Sequence, residues 1–135
     1  MKLREVKIMF EFCGFSIINV LFSSVFPDTE CTQAILMKGR RKRDGMEKLI
    51  FAIIEKGEGR RLKILDDVIL PVPMDCPDAA RIAEVTIGNK LTTATLRILV
   101  DTAEISVTLE DRDIEYYKES YIFTPAPNML ELPID

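Results

Sequence analysis

Residues 91–110, LTTATLRILVDTAEISVTLE, run through apolar and polar side chains in strict alternation, break, and resume. Ala94, Leu96, Ile98 and Val100 fall on one side of an extended chain, with Thr93, Thr95 and Arg97 on the other. After Asp101, Thr102, Ala103 and Glu104 the rhythm returns, with Ile105, Val107 and Leu109 opposed to Ser106, Thr108 and Glu110. A period of two puts successive side chains on opposite faces, so each run reads as a strand with one face in a core and one face wet. The fold is therefore expected to be mainly β.

Immediately upstream, Ala83, Val85 and Ile87 alternate with Glu84 and Thr86, and Gly88-Asn89 is a two-residue hairpin signal. Residues 82–110 thus read as a three-stranded meander. Ahead of it, Asp75, Cys76, Pro77 and Asp78 supply an N-cap candidate, a proline at the first helical position and an acid in the first turn. One short helical turn near residues 77–80 is expected. A helix over 77–86, aligning Ala79, Ile82, Ala83 and Thr86, is the alternative and would make the fold α+β.

Farther back, Leu49, Ile50, Phe51, Ala52, Ile53 and Ile54 are apolar on both faces, as in a central strand covered on each side. Lys56, Gly57, Glu58 and Gly59 close this run, and Leu62 and Ile64 alternate with Lys63 in a return strand, so residues 48–65 read as a hairpin. Asp66-Asp67 reads as a turn whose side chains bond the local backbone. Val68 to Val72 is a short apolar run that Pro71 and Pro73 confine to an edge, and Arg60, Arg61 and Lys63 read as charges guarding an edge strand. The sum is a small antiparallel sheet or barrel of five to six strands with one short helical turn. No internal repeat interrupts it.

The chain divides chemically at Met46. Residues 1–45 hold eight Lys+Arg against five Asp+Glu, whereas residues 46–135 hold ten against seventeen and read as a single globular β-rich domain. Three readings of residues 1–45 compete. Lys2, Arg4 and Lys7 precede an apolar stretch from Ile8 to Phe26 that approaches a bilayer span in length, although Glu11 sits inside it. The segment also reads as a mis-assigned start, because Arg40-Arg41 can be encoded as a ribosome-binding sequence just ahead of Met46. Finally, it reads as a helix or strand pair packed on the domain, with the basic run as a solvated loop.

At the other end, Tyr116, Tyr117, Tyr121 and Phe123 mix with Pro125, Pro127 and Pro133 in a tail too apolar for disorder and too proline-broken for a helix. This tail should dock, on its own domain or on a partner. Leu130 and Leu132 share one side of it if extended and are the candidate partner contacts.

Among 135 residues there is no histidine and no tryptophan, and the three cysteines, Cys13, Cys31 and Cys76, match neither a disulfide framework nor a zinc ribbon. Without histidine a nucleophile needs a lysine or carboxylate as its base, and no nucleophile elbow, phosphate loop or dinucleotide fingerprint is present. No catalytic residue, metal ligand or cofactor is expected. The odd cysteine count fits a reducing compartment, hence the cytoplasm. Three Asn and one Gln beside nine Arg and nine Lys resemble the composition of proteins from hot environments.

Four local features carry chemistry. Cys76, at a helix start, is a candidate reactive thiol. The acidic run Glu110, Asp111, Asp113 and Glu115 lacks the glycine of a calcium loop and reads as a solvated strand end. Asp66-Asp67 is already explained as a turn. Arg40, Arg41, Lys42 and Arg43 could contact phosphates, but no aromatic side chains are interleaved and the remaining residues are net acidic. The expected function is a non-catalytic small binding or assembly module with a protein partner or self-association. The alternative is a nucleic-acid-binding small β-barrel using residues 38–43. A membrane partner is not expected.

Overall fold

The computed structural model describes residues 3–26, 31–57, 61–71, 82–99, 104–112 and 117–124. Among these residues it is mainly β, with two four-stranded antiparallel sheets, one short helix and no closed barrel. The described residues form eight strands where five to six were expected, because residues 15–41 and 117–123 add three. Two compact units divide the chain, Met1–Leu70 and Pro71–Asp135.

In the first unit the order is helix α1 (Leu3–Phe12), then β1 (Phe15–Val25), β2 (Thr32–Arg41), β3 (Glu47–Lys56) and β4 (Leu62–Pro71), the strands lying side by side in chain order. The apolar stretch from Ile8 to Phe26 is thus not one element. Val6, Met9 and Phe10 share one helical face and bury against Phe15, Ile35, Met37, Ile50, Ala52 and Ile54. Each such large side chain taken from water contributes about 1.5–3 kcal/mol. The helix ends where Cys13 N–H donates to the Phe10 carbonyl and Gly14 N–H to that of Glu11, at 3.0 and 3.1 Å. Gly14 then takes φ +92°, the left-handed conformation that closes many helices at glycine.

Strands β2 and β3 are buried on both faces from Ala34 to Gly39 and from Leu49 to Ile54, the second as the unbroken apolar run requires. The basic run is not a loop. Lys38, Gly39, Arg40 and Arg41 belong to β2, and Lys38 is only 1% exposed. Nor does Asp66-Asp67 break the chain: β4 runs through it, and Asp66 Oδ1 accepts the Asp67 N–H at 2.9 Å without a turn forming. The carboxylate satisfies the neighbouring amide locally, so the strand continues. Pro71 is the last residue of β4, one of the two edge strands of its sheet.

The second unit is the meander β5 (Ile82–Gly88), β6 (Thr92–Leu99), β7 (Glu104–Asp111) and β8 (Tyr117–Phe123). Ala94, Leu96 and Ile98 on β6 and Ile105, Val107 and Leu109 on β7 are buried, as their alternation demands. A helix over 77–86 is excluded in its second half, because Ile82 onward pairs with Leu99 as a strand; residues 77–80 lie outside the described residues. The β5–β6 turn falls at Lys90-Leu91, with Asn89 paired to Thr92. Its side chain accepts both the Leu91 and Thr92 amides at 2.8 Å, which moves the turn two residues beyond Gly88-Asn89. The beginning of the tail is β8, paired along β7 from Ile105↔Phe123 to Asp111↔Tyr117. Asp111, expected to be solvated, is 4% exposed.

Candidate binding surface

Strands β2 and β3 meet in a hairpin whose tip is Lys42-Arg43-Asp44-Gly45. Arg41 N–H donates to the Met46 carbonyl and Gly45 N–H to that of Arg41, both at 2.8 Å. Asp44 reinforces the tip from its side chain: Oδ1 accepts the Met46 amide at 3.1 Å, and the carboxylate receives Arg41 Nε at 3.1 Å and its terminal nitrogen at 2.5 Å. These bonds favour the ionised carboxylate, so the Arg41 guanidinium first, and then the Met46 amide, hold Asp44 down to about 2. The same contact pushes Arg41 up.

The hairpin tip touches the end of α1. Lys42 N–H donates to the Gly14 carbonyl at 2.9 Å, and Lys42 Nζ reaches the Glu11 main-chain carbonyl at 3.5 Å. Glu11 lies in the last turn of the helix, at the negative end of the helix dipole, where a cation is favourable beside the carbonyl that already accepts the Gly14 N–H. The result is a shallow pocket of about 620 Å³ lined by Cys13, Gly14, Phe15, Arg41, Lys42 and Arg43. A second hollow of about 430 Å³ opens on α1 among Arg4, Lys7, Ile8 and Glu11. Cys13 and Cys31 are exposed free thiols.

The four basic residues singled out in the sequence do not act alike. Arg40 pairs with Glu47 at 3.2 Å on the same sheet face, and Lys38, buried two pairs inward, also meets Glu47, at 3.1 Å. Arg41 is held by Asp44, whereas Lys42 and Arg43 are exposed at the tip. Two of the four, Lys42 and Arg43, are thus exposed cations lining the pocket, and the other two are paired with carboxylates. Residues 1–70 carry thirteen Lys+Arg against ten Asp+Glu, while residues 71–135 carry five against twelve.

Cys76, Leu130 and Leu132 lie outside the described residues. Sequence reasoning missed Cys13, Gly14 and Phe15 as partners of the basic run. Gly14 is the only glycine before Gly39, and a lone glycine in an apolar stretch was the available signal for a break there. No group of three potential metal ligands occurs among the described residues. The chain matches no protein-family model, no curated protein and no solved structure.

Proposed function

We propose that the protein is a non-catalytic binding module whose binding surface is the corner between the end of α1 and the β2–β3 hairpin, and that it takes an anionic group there. The observation that carries this reading is the contact of Lys42 with both Gly14 and Glu11, which holds the hairpin tip bearing Lys42 and Arg43 against the end of α1, at the edge of one pocket. The bond from the Lys42 N–H to the Gly14 carbonyl pins the turn that carries both cations, so little backbone freedom is left to lose when an anion arrives. The cytoplasm is the proposed compartment, supported by the two exposed free thiols.

Nucleic acid is the narrower case of the same reading. Residues 38–43 supply fewer free cations than their composition promises, since Lys38 is buried and Arg40 and Arg41 are paired. Binding of inorganic polyphosphate to the intact chain, followed as a function of salt, tests the reading. With Lys42 and Arg43 as the contacts, the logarithm of affinity should fall against that of salt with a slope of about −1 to −2, and Lys42→Glu with Arg43→Glu should abolish binding. Absence of binding at low salt, or binding unchanged in the double variant, contradicts it.

Assembly with a second copy is a separate reading, supported by β4. Leu65 and Ile69 are exposed on this edge strand and share a face with Lys63 and Asp67. Antiparallel pairing of two β4 strands centred on Leu65 sets Lys63 of each opposite Asp67 of the other, a favourable cross-strand pair. Sedimentation of the Lys63→Asp variant tests it: loss of a dimer seen in the parent protein supports the reading, and a monomeric parent refutes it.

A further inference from the structure

The helix α1 has two apolar stripes and only one of them is covered. Val6 and Phe10 are buried in the sheet, while Ile8 and Phe12, one turn apart on the outward side, are 49% and 89% exposed. Residues four apart on a helix are neighbours, so these two side chains form one apolar knob. Arg4 lies one turn before Ile8, Lys7 beside it, and Lys42 reaches the C-terminal end of the helix, next to Phe12, through the Glu11 carbonyl, with Arg43 following it in the chain. We infer that this surface docks on an anionic membrane, with Ile8 and Phe12 entering the boundary between headgroups and acyl chains and Arg4, Lys7, Lys42 and Arg43 meeting lipid phosphates.

The inference rests on the corner being the binding surface and names its partner. A soluble polyanion has no use for an exposed isoleucine, and nucleobases stack on aromatic rings but not on aliphatic ones. An aliphatic and an aromatic side chain protruding together, with cations at both ends of their helix, match the bilayer interface, apolar a few ångströms in and negative at its surface. The excess of cations in residues 1–70 and of carboxylates in residues 71–135 favours presenting the first unit to such a surface. Crossing is not implied: α1 has 10 residues, and among the described residues no helix is long and apolar enough to cross a membrane. The expectation of no membrane partner concerns a spanning segment, and a helix lying on the surface is a different object. Glu11 opposes the docking, since its exposed carboxylate shares the outward face.

The chain has no tryptophan, so Phe12→Trp places a unique fluorophore on the knob without disturbing the core. Mixed with vesicles of phosphatidylcholine and about one third phosphatidylserine, this variant should shift its emission to the blue, and salt should reverse the shift. Lys42→Glu and Arg43→Glu should each weaken vesicle binding at least about fivefold, and Glu11→Gln should strengthen it about fivefold. Thermal melts establish that each variant is folded. No blue shift, or an equal one with pure phosphatidylcholine vesicles, overturns the inference. Polyphosphate binding, or quenching by a single-stranded oligonucleotide, without any response to anionic vesicles overturns the membrane assignment while the corner reading stands; no response to polyphosphate or vesicles ends both.

Discussion

The ammonium of Lys42 sits 3.5 Å from the main-chain carbonyl oxygen of Glu11, tying together two residues 31 positions apart in the chain. It places a cation at the carbonyl end of α1, where the helix dipole rewards it. The contact is exposed, so Lys42→Ala should lower stability by no more than about 0.5 kcal/mol. Charge reversal at the same residue should instead be read in binding. A melting temperature that collapses in Lys42→Ala would show the contact to be structural and would remove the surface from consideration.

Asp44 gives the hairpin tip its pH response. Its carboxyl is held at about 2 against an ordinary value of 3.8, so the tip contributes stability at pH above the ordinary value and loses it as pH falls through about 2. A carboxyl-detected NMR titration should place the Asp44 midpoint near 2, and Arg41→Gln should return it toward 3.8, since the guanidinium is the largest cause of the shift. An unshifted midpoint in the parent protein would mean that the Arg41 contact does not persist in solution.

Glu47 serves both Lys38, buried, and Arg40, exposed. Removing the carboxylate takes a counter-ion from a cation that cannot reach bulk water, and Glu47→Ala should cost about 2 kcal/mol in a denaturant melt. Replacing the cation is gentler. Lys38→Met keeps the volume and removes the charge that needs solvating, and it should stay within about 1 kcal/mol of the parent. A larger loss in Lys38→Met than in Glu47→Ala would contradict this ordering.

Gly39 is where β2 lets two side chains close over it. A Cβ there would lie 3.0 Å from Ile50 Cδ1, 3.4 Å from Ile17 Cδ1 and 3.5 Å from the Ser16 carbonyl oxygen. Gly39→Ala displaces only the ends of flexible side chains and should cost about 1 kcal/mol, whereas the branched Gly39→Val should cost about 2–3 kcal/mol. Equal melting temperatures for the two variants would show that the packing here is loose.

Deleting residues 1–45 removes the β2–β3 ladder from Thr32↔Glu55 to Arg40↔Glu47 and the α1 residues that bury Ile50, Ala52 and Ile54. In the remaining fragment the amides of Leu49 to Ile54 on β3 should lose their protection from hydrogen exchange, whereas those of the separate β5–β8 sheet should keep theirs. Protected amides from Leu49 to Ile54 would instead show that β3 and β4 fold without the first 45 residues.

Strands β6 and β7 were legible because each has one dry and one wet face, which writes the period of two directly into Ala94, Leu96 and Ile98 and into Ile105, Val107 and Leu109. Strand β2 was not. Covered on both faces, it shows no alternation, and its cation Lys38 is buried, so residues 38–41 read as a solvated loop when they are the inner end of a strand. The corner was hidden for another reason. No local pattern records that Lys42 will meet Glu11 and Gly14, because that meeting is set by the β1–β2 register from Phe15↔Arg41 onward. The exposed pair Ile8 and Phe12 was masked by its setting, since inside an apolar stretch it reads as more core.

An amide-resolved NMR titration of the intact chain with inorganic polyphosphate at low salt tests the proposed binding surface most directly. Gly14, Lys42 and Arg43 should shift together along one saturating curve, while the amides of β5 to β8 stay in place. Fixed resonances at those three residues, with shifts elsewhere or with none at all, would contradict it.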